Sequence, residues 1–269
     1  MADSKLVLCM KWGTLYGPEY VNCLYGMIAR NLTGPFRLVC FTDDPSGIRR
    51  TVECLPLPEL GCDVPPGAPG KWLKQTLWAE DLCGLEGVAL FIDLDSVIVD
   101  SIDPYFDYGD PDDVITARNW AKPLKRMAQT SVFRFKIGAH GYMLDNLRRN
   151  PQLMARYKYE QNYVSSCLRG GVTFWPGAWT KHFGIHCMGP WPLRYLRRPV
   201  KPKGVRIVTF PGKPKPPMAA VGKWAQGDAF RSALEHFKAC LFGSETHRRR
   251  NSLKRFVLPT PWVAENWRP

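Results

Sequence analysis

Leu6, Val7, Leu8, Cys9 and Met10 follow Lys5 without a polar break. A short uninterrupted apolar run of this kind predicts a strand buried on both faces, as in a parallel sheet. After the break Trp12–Gly17, Pro18 opens a segment in which Val21, Leu24, Tyr25, Ile28 and Leu32 recur at helical spacing, so they share one face of an amphipathic helix ending near Asn31 to Gly34. Residues 37–42 read as a second buried strand closed by Asp43-Asp44-Pro45-Ser46-Gly47, and 51–55 as a third. Strand, helix and strand in this order predict a parallel α/β sheet.

A loop with five prolines and three glycines spans 56–70. Leu73, Leu77 and Leu82 then predict a helix over 71–83, and the apolar strand 88–92 runs directly into Asp93-Leu94-Asp95. Beyond it the pattern predicts strands at 114–117, 131–135 and 172–175 and helical segments at 142–157 and 160–168. Eight prolines interrupt 189–217 around one strand, 205–210, and a last helix is expected over 228–241.

At 269 residues the chain suits one large α/β domain with an appended segment, against a prior of about 150 residues per domain. The reading divides it into a catalytic domain over 1–217 and a basic, aromatic C-terminal segment over 218–269. A hydrophobic share of 45% and a charged share of 23% exclude wholesale disorder and a coiled coil. No stretch approaches the roughly 18 apolar residues of a membrane span, and the start carries no small-residue cleavage site, so a cytoplasmic protein is expected. Nine cysteines without a Cys-x-x-Cys pair fit reduced, mostly buried thiols and argue against zinc.

Charge changes the picture more than composition does. Residues 1–180 carry 19 basic and 20 acidic side chains, whereas 181–269 carry 18 basic and 4 acidic. The C-terminal third therefore faces something anionic, such as phosphate, nucleic acid or an acidic membrane surface. The run from His247 to Phe256, with Trp262 and Trp267, mixes cations and aromatics in the same sense.

Asp93 and Asp95 directly follow a strand, and open α/β sheets bind ligands beyond their strand ends. Hard cations such as Mg²⁺ and Mn²⁺ prefer carboxylate oxygen and commonly bridge it to a diphosphate. The same segment, Phe91 to Ser101, is similar to the first motif of haloacid-dehalogenase-type phosphatases, whose first aspartate is a nucleophile. That family usually places the motif on its first strand with Gly after the second aspartate, whereas here some ninety residues precede it and Ser96 stands in that place.

A nucleotide-binding half followed by strand and Asp-x-Asp resembles the GT-A glycosyltransferases, especially glycosyltransferase family 8 and its bacterial relatives. The resemblance is one of motif order and covers most of the chain. It implies an α/β, Rossmann-like GT-A fold with a mostly parallel central sheet, and transfer of a sugar from a nucleoside-diphosphate donor, UDP above all, to a saccharide or lipid-linked acceptor. By the same resemblance Cys9, Met10 and Lys11 meet the nucleotide and Tyr16 stacks on its base, with Trp12 as a second surface. Lys74, or Lys71, takes the place of a basic residue beside the sugar diphosphate. Asp93 and Asp95 would hold Mn²⁺ or Mg²⁺. Residues 129–132 (Gln-Thr-Ser-Val) loosely resemble an Asn-Ser-Ser-like segment, and Glu160-Gln161 more closely an Asp-Gln pair, which line the sugar and acceptor pockets in relatives, with Lys74 and Gln161 as the catalytic candidates.

Relatives close the site with a His-x-x-Gly-x-x-Lys-Pro motif. Gly212 and Lys215-Pro216 fit it, but Thr209 or Pro211 stands where the third metal ligand, His, is expected. His186 falls where relatives have a polar stretch near the acceptor. A lipid-linked acceptor would place the basic C-terminal segment on an anionic inner membrane face, without nucleic acid. The competing reading is a non-catalytic binder of nucleic acid or another anionic polymer, whose affinity would fall steeply with salt.

Overall fold

The computed structural model describes residues 4–68, 71–225, 228, 232–242 and 253–269. Strand β1 (Lys5–Lys11) is buried from Leu6 onward, and helix α1 (Pro18–Asn31) turns Val21, Leu24, Met27 and Ile28 onto it. Strands β2 (Phe36–Thr42) and β3 (Glu53–Leu55) follow, then a 3₁₀ turn (Trp72–Trp78), β4 (Val88–Ile92) and β5 (Ser96–Ile98). Next come α2 (Asp103–Asp107), β6 (Ile115–Arg118), β7 (Ala128–Lys136), α3 (Gly141–Arg149), α4 (Leu153–Arg156) and α5 (Glu160–Cys167). The last part holds β8 (Thr173–Phe174), β9 (Thr180–His182), β10 (Ile207–Thr209), α6 (Pro216–Val221), α7 (Ala233–Phe242) and α8 (Pro261–Asn266).

Seven strands form the central sheet in the order β3-β2-β1-β4-β7-β6-β8. β3, β2, β1 and β4 are parallel, β7 runs against both β4 and β6, and β8 is parallel to β6. The reversal matters: β4 ends where β7 begins, so the end of β4 and residues 129–131 share one edge. A small second sheet, β5-β10-β9, starts immediately after Asp95. Side chains alternate across the central sheet, so Cys9 enters the core beneath α1 and the small sheet, whereas Met10 enters the core beneath the 3₁₀ turn, α3 and α5. β7 buries Arg134, which donates to the Phe106 carbonyl at 2.7 Å and the Asp110 carbonyl at 2.6 Å and so anchors the chain after α2.

The helix expected over 71–83 is a 3₁₀ turn instead. From Trp72 to Trp78 nearly every side chain is buried, Lys74 included, so the segment has no solvent face for an amphipathic helix to present. The helical stretch expected over 142–157 breaks in two at Asn150-Pro151, as the restriction before proline requires. The helix expected over 228–241 is seen as α7, residues 229–231 lying outside the described residues, as do 247–252 of the basic run.

The chain returns to its start. Arg30 of α1 donates to the carbonyls of Asn266 and Arg268 at 2.9 and 2.8 Å, and Trp267 meets Tyr20 edge-on at 5.3 Å. A Cβ on Gly26 would fall 2.4 Å from the Pro269 carbonyl carbon, so α1 admits only glycine there. Among the described residues no helix is long and apolar enough to cross a membrane.

Candidate active site

A cavity of about 540 Å³ opens beyond the end of β4. It is built from three parts of the chain: Met10 of β1 with Trp12 and Tyr16 after it, Lys71 and Lys74 at and within the 3₁₀ turn, and Asp93 to Asp95. Gln129 and Ser131 of β7, Tyr159 to Gln161 at the start of α5, and Pro211, Gly212 and Lys215 close it.

Backbone bonds to two different sheets hold the Asp93-Leu94-Asp95 bend. The Asp93 N–H donates to the Ser131 carbonyl at 2.8 Å, and the Asp95 carbonyl accepts from the Phe210 N–H at 2.9 Å. Leu94 is buried between them, which leaves both carboxylates on the cavity. Lys74 donates to Asp93 at 2.6 Å and to the Thr130 carbonyl at 3.2 Å. Lys215 donates to Asp95 and to the Phe210 carbonyl, and the Tyr16 hydroxyl donates to Asp95 at 2.8 Å. Gly212, at φ 88°, provides the left-handed turn that brings Lys215 back; the space around it is open, so the need for glycine is conformational.

The electrostatics follow from this packing. Burial alone would lower the Lys74 pKa, but Asp93, Glu160 and Asp95 together outweigh it and hold the ammonium above its ordinary range. Burial, reinforced by Asp95, pushes Asp93 up despite the pull of Lys74. Burial and then Asp95 raise Tyr16, which is therefore a hydrogen-bond donor and not a base at neutral pH.

The structure brings together Met10, Tyr16, Lys74, Asp93, Asp95, Gln161, Gly212 and Lys215, all named from sequence. It does not bring Cys9 or Lys11 to the cavity. The Cys9 side chain is fully buried beneath α1, and Lys11 donates to the Asp44 carbonyl at 2.9 Å, because alternation along β1 leaves Met10 facing the site. His186 is not in the lining either: it lies in a π turn (Phe183–Cys187), where its Nδ1 accepts from the His182 N–H at 3.0 Å. Tyr159 was not foreseen; an aromatic residue just before a short helix carries no sequence signal of its own.

Two carboxylates on an open cavity fit a hard cation whose remaining ligands are phosphate and water. They do not make a closed protein cage. Thr209 is fully buried, Pro211 offers no side-chain donor, and among the described residues no three His, Cys, Asp or Glu side chains converge. The imidazole of His182, on the strand paired in register with Thr209, is kept neutral by burial, its pKa lowered to about 4.

A mostly parallel central sheet with a smaller second sheet beside it is the arrangement of the GT-A fold. Solved glycosyltransferases share it. The chain superposes on the galactosyltransferase LgtC in complex with donor and acceptor sugar analogues at TM-score 0.53 and 13% identity, covering 96% of this chain and 99% of that one. GlyE of Streptococcus pneumoniae TIGR4 gives 0.56 and 11%, covering 96% of this chain and 66% of its own. The bifunctional glycosyltransferase WbbM in its apo form gives 0.53 and 13%, over 80% of this chain; the present chain spans about half of WbbM, 47%. These likenesses show the fold, that of the GT-A glycosyltransferases. No protein-family model and no curated protein matches the sequence.

Proposed function

We propose that the protein is a glycosyltransferase that moves a sugar from a nucleoside-diphosphate donor, UDP-linked, to a saccharide or lipid-linked acceptor. The observation that carries this reading is the placement of Asp93, Asp95, Lys74 and Lys215 on one cavity at the end of β4, where a diphosphate needs opposite charge. In the transfer the bond from the anomeric carbon to the diphosphate breaks and its electron pair leaves with the phosphate. The acceptor oxygen bonds to that carbon, and its proton passes to the departing diphosphate.

Lys74 and Lys215 meet the charge that develops on the leaving group, and Tyr16 and Trp12 offer rings to the base. Gln161 and Glu160, which line the same cavity, would meet the sugar. Asp93 and Asp95 would hold Mn²⁺ or Mg²⁺, which when bound supplies Lewis-acid neutralisation of the diphosphate. A phosphatase reading loses its support, since the motif ends the fourth strand of a GT-A sheet and not a first strand.

The same proposal puts the acceptor at an anionic lipid surface. α7 exposes Leu234, Phe237, Leu241 and Phe242, and Tyr195 ties it to the exposed turn bearing Leu196, Arg197 and Arg198 through a 2.8 Å bond to His236. Apolar side chains set among cations suit a lipid interface. Vesicles containing anionic lipid should retain the protein at low salt and release it at high salt; absence of binding at low salt overturns this part.

The donor site is tested by thermal unfolding with UDP and other nucleoside diphosphates, with and without Mn²⁺, in the native protein and in Asp93→Ala/Asp95→Ala. A rise in midpoint with one nucleotide, dependent on metal and on both aspartates, is expected. If no nucleotide raises it, the transferase reading falls and salt-dependent polyanion binding takes its place.

A further inference from the structure

A second, smaller cleft of about 170 Å³ lies between the end of β6 and the residues that follow β8. Trp120 and Trp175 form its walls with Pro123 and Pro176, and Arg118 and Asn119 line it. It is one strand away from the donor cavity: Ala117, which lines the cleft, is the register partner of Gln129, which lines the cavity. Neighbouring strands are about 4.8 Å apart, so the cleft and the cavity adjoin across one strand spacing. Trp120 also faces the other flank, meeting His182 edge-on at 5.6 Å, and His182 pairs with Thr209, two residues before Pro211 of the cavity wall.

The lining is chemically selective. Trp175 is 4% exposed, yet its indole N–H meets no acceptor among the described residues. A buried indole N–H ordinarily has a partner, and leaving one unpaired is costly. Asn119 accepts from the Ala121 N–H at 3.0 Å, which fixes the orientation of its amide. Arg118 is the one cation of the lining, and its guanidinium lies over Phe174 at 4.4 Å. Flat apolar walls, a few N–H donors and no lining carboxylate exclude a cation and disfavour a bare phosphate, which needs converging positive charge. They suit a ring with apolar C–H faces and a rim of hydroxyl oxygens.

We infer that this cleft is an acceptor subsite that takes one pyranose ring of a saccharide, between Trp120 and Trp175. The inference rests on the donor reading of the larger cavity, and it narrows the acceptor to a carbohydrate terminus. Saturation-transfer NMR on the full chain, with methyl glucoside, methyl galactoside and methyl N-acetylglucosaminide as probes, tests it. One of the three should give transfer, keep it when UDP saturates the donor cavity, and lose it in Trp120→Ala and in Trp175→Phe. Trp175→Phe retains a ring against Tyr105, now 4.8 Å away, while removing the N–H, so it separates a lost hydrogen bond from a lost fold. UDP affinity, by calorimetry, should be equal in the native protein and both variants. No transfer from any probe, or transfer that survives in either variant, overturns the subsite. Failure of UDP to bind the native protein overturns the donor reading instead.

Discussion

Asp93 and Asp95 are one residue apart and each meets a lysine, yet they belong to different parts of the molecule. Asp93 hangs from the large sheet, and its partner Lys74 is 8% exposed in the side chain and comes from 19 residues earlier. Asp95 hangs from the small sheet, and its partner Lys215 is 21% exposed and arrives from 120 residues later, beyond a proline-rich loop. The inner pair is therefore part of the packed core, whereas the outer pair is a closure made by a late segment. Identical chemistry one residue apart is held by the packed core on one side and by a late, proline-rich segment on the other.

The comparison is sharpened first by removing both carboxylates. Asp93→Ala/Asp95→Ala should cost about 100-fold or more in metal-dependent nucleoside-diphosphate affinity by calorimetry, since phosphate and water alone would then hold the cation. The two lysines separate the roles. Lys74→Met leaves Asp93 without its ammonium and should lower unfolding free energy by about 2–3 kcal/mol in a denaturant titration, the partial exposure of Asp93 moderating the cost. Lys215→Met should lose about 1–2 kcal/mol in the same titration, less than Lys74→Met, because the Lys215 side chain is itself 21% exposed and the Tyr16 hydroxyl still donates to Asp95. Equal losses from the two lysines would break the distinction. Lys215→Met should instead weaken nucleoside-diphosphate binding by about tenfold, the loss of one charge-assisted contact.

The smallest effect is one of acid. His182, on the small-sheet side, has a native pKa depressed to about 4, first by burial and then by His186, against 6.5 for the ordinary group. Between these values the unfolded chain binds the extra proton, so the contribution of His182 is present above pH 6.5 and is lost as pH falls towards 4. His182→Gln should flatten this fall by roughly 1 kcal/mol, after allowance for partial solvent screening. A pH profile of stability unchanged by His182→Gln would remove the small sheet from the acid response.

Much of this was readable from the chain, and the rest was not for physical reasons. β1, β2 and β4 are continuous apolar runs, and α1 carries a clean helical stripe, so local pattern sufficed. Tyr16, Lys74, Asp93, Asp95 and Lys215 were found by motif order and do meet on one cavity. β5 and β9 are three-residue strands without a period to detect, and they exist because β10 lies between them. The reversal of β7 was also illegible, since an apolar strand reads the same in either direction. Cys9 and Lys11 do not line the cavity because motif position locates a strand end, whereas the pleat decides which side chain faces the cavity.

Trp12 stands at the cavity wall with the Lys71 ammonium 5.6 Å from its ring centre, and of the ten tryptophans it is the one that lines that cavity. The arrangement is an optical one as much as a chemical one. A base stacking on this indole, or displacing the ammonium beside it, alters the emission of a single chromophore while the other nine form a constant background. Occupancy of the cavity would thus be legible as fluorescence from the unlabelled protein, with Trp12→Phe as the blank.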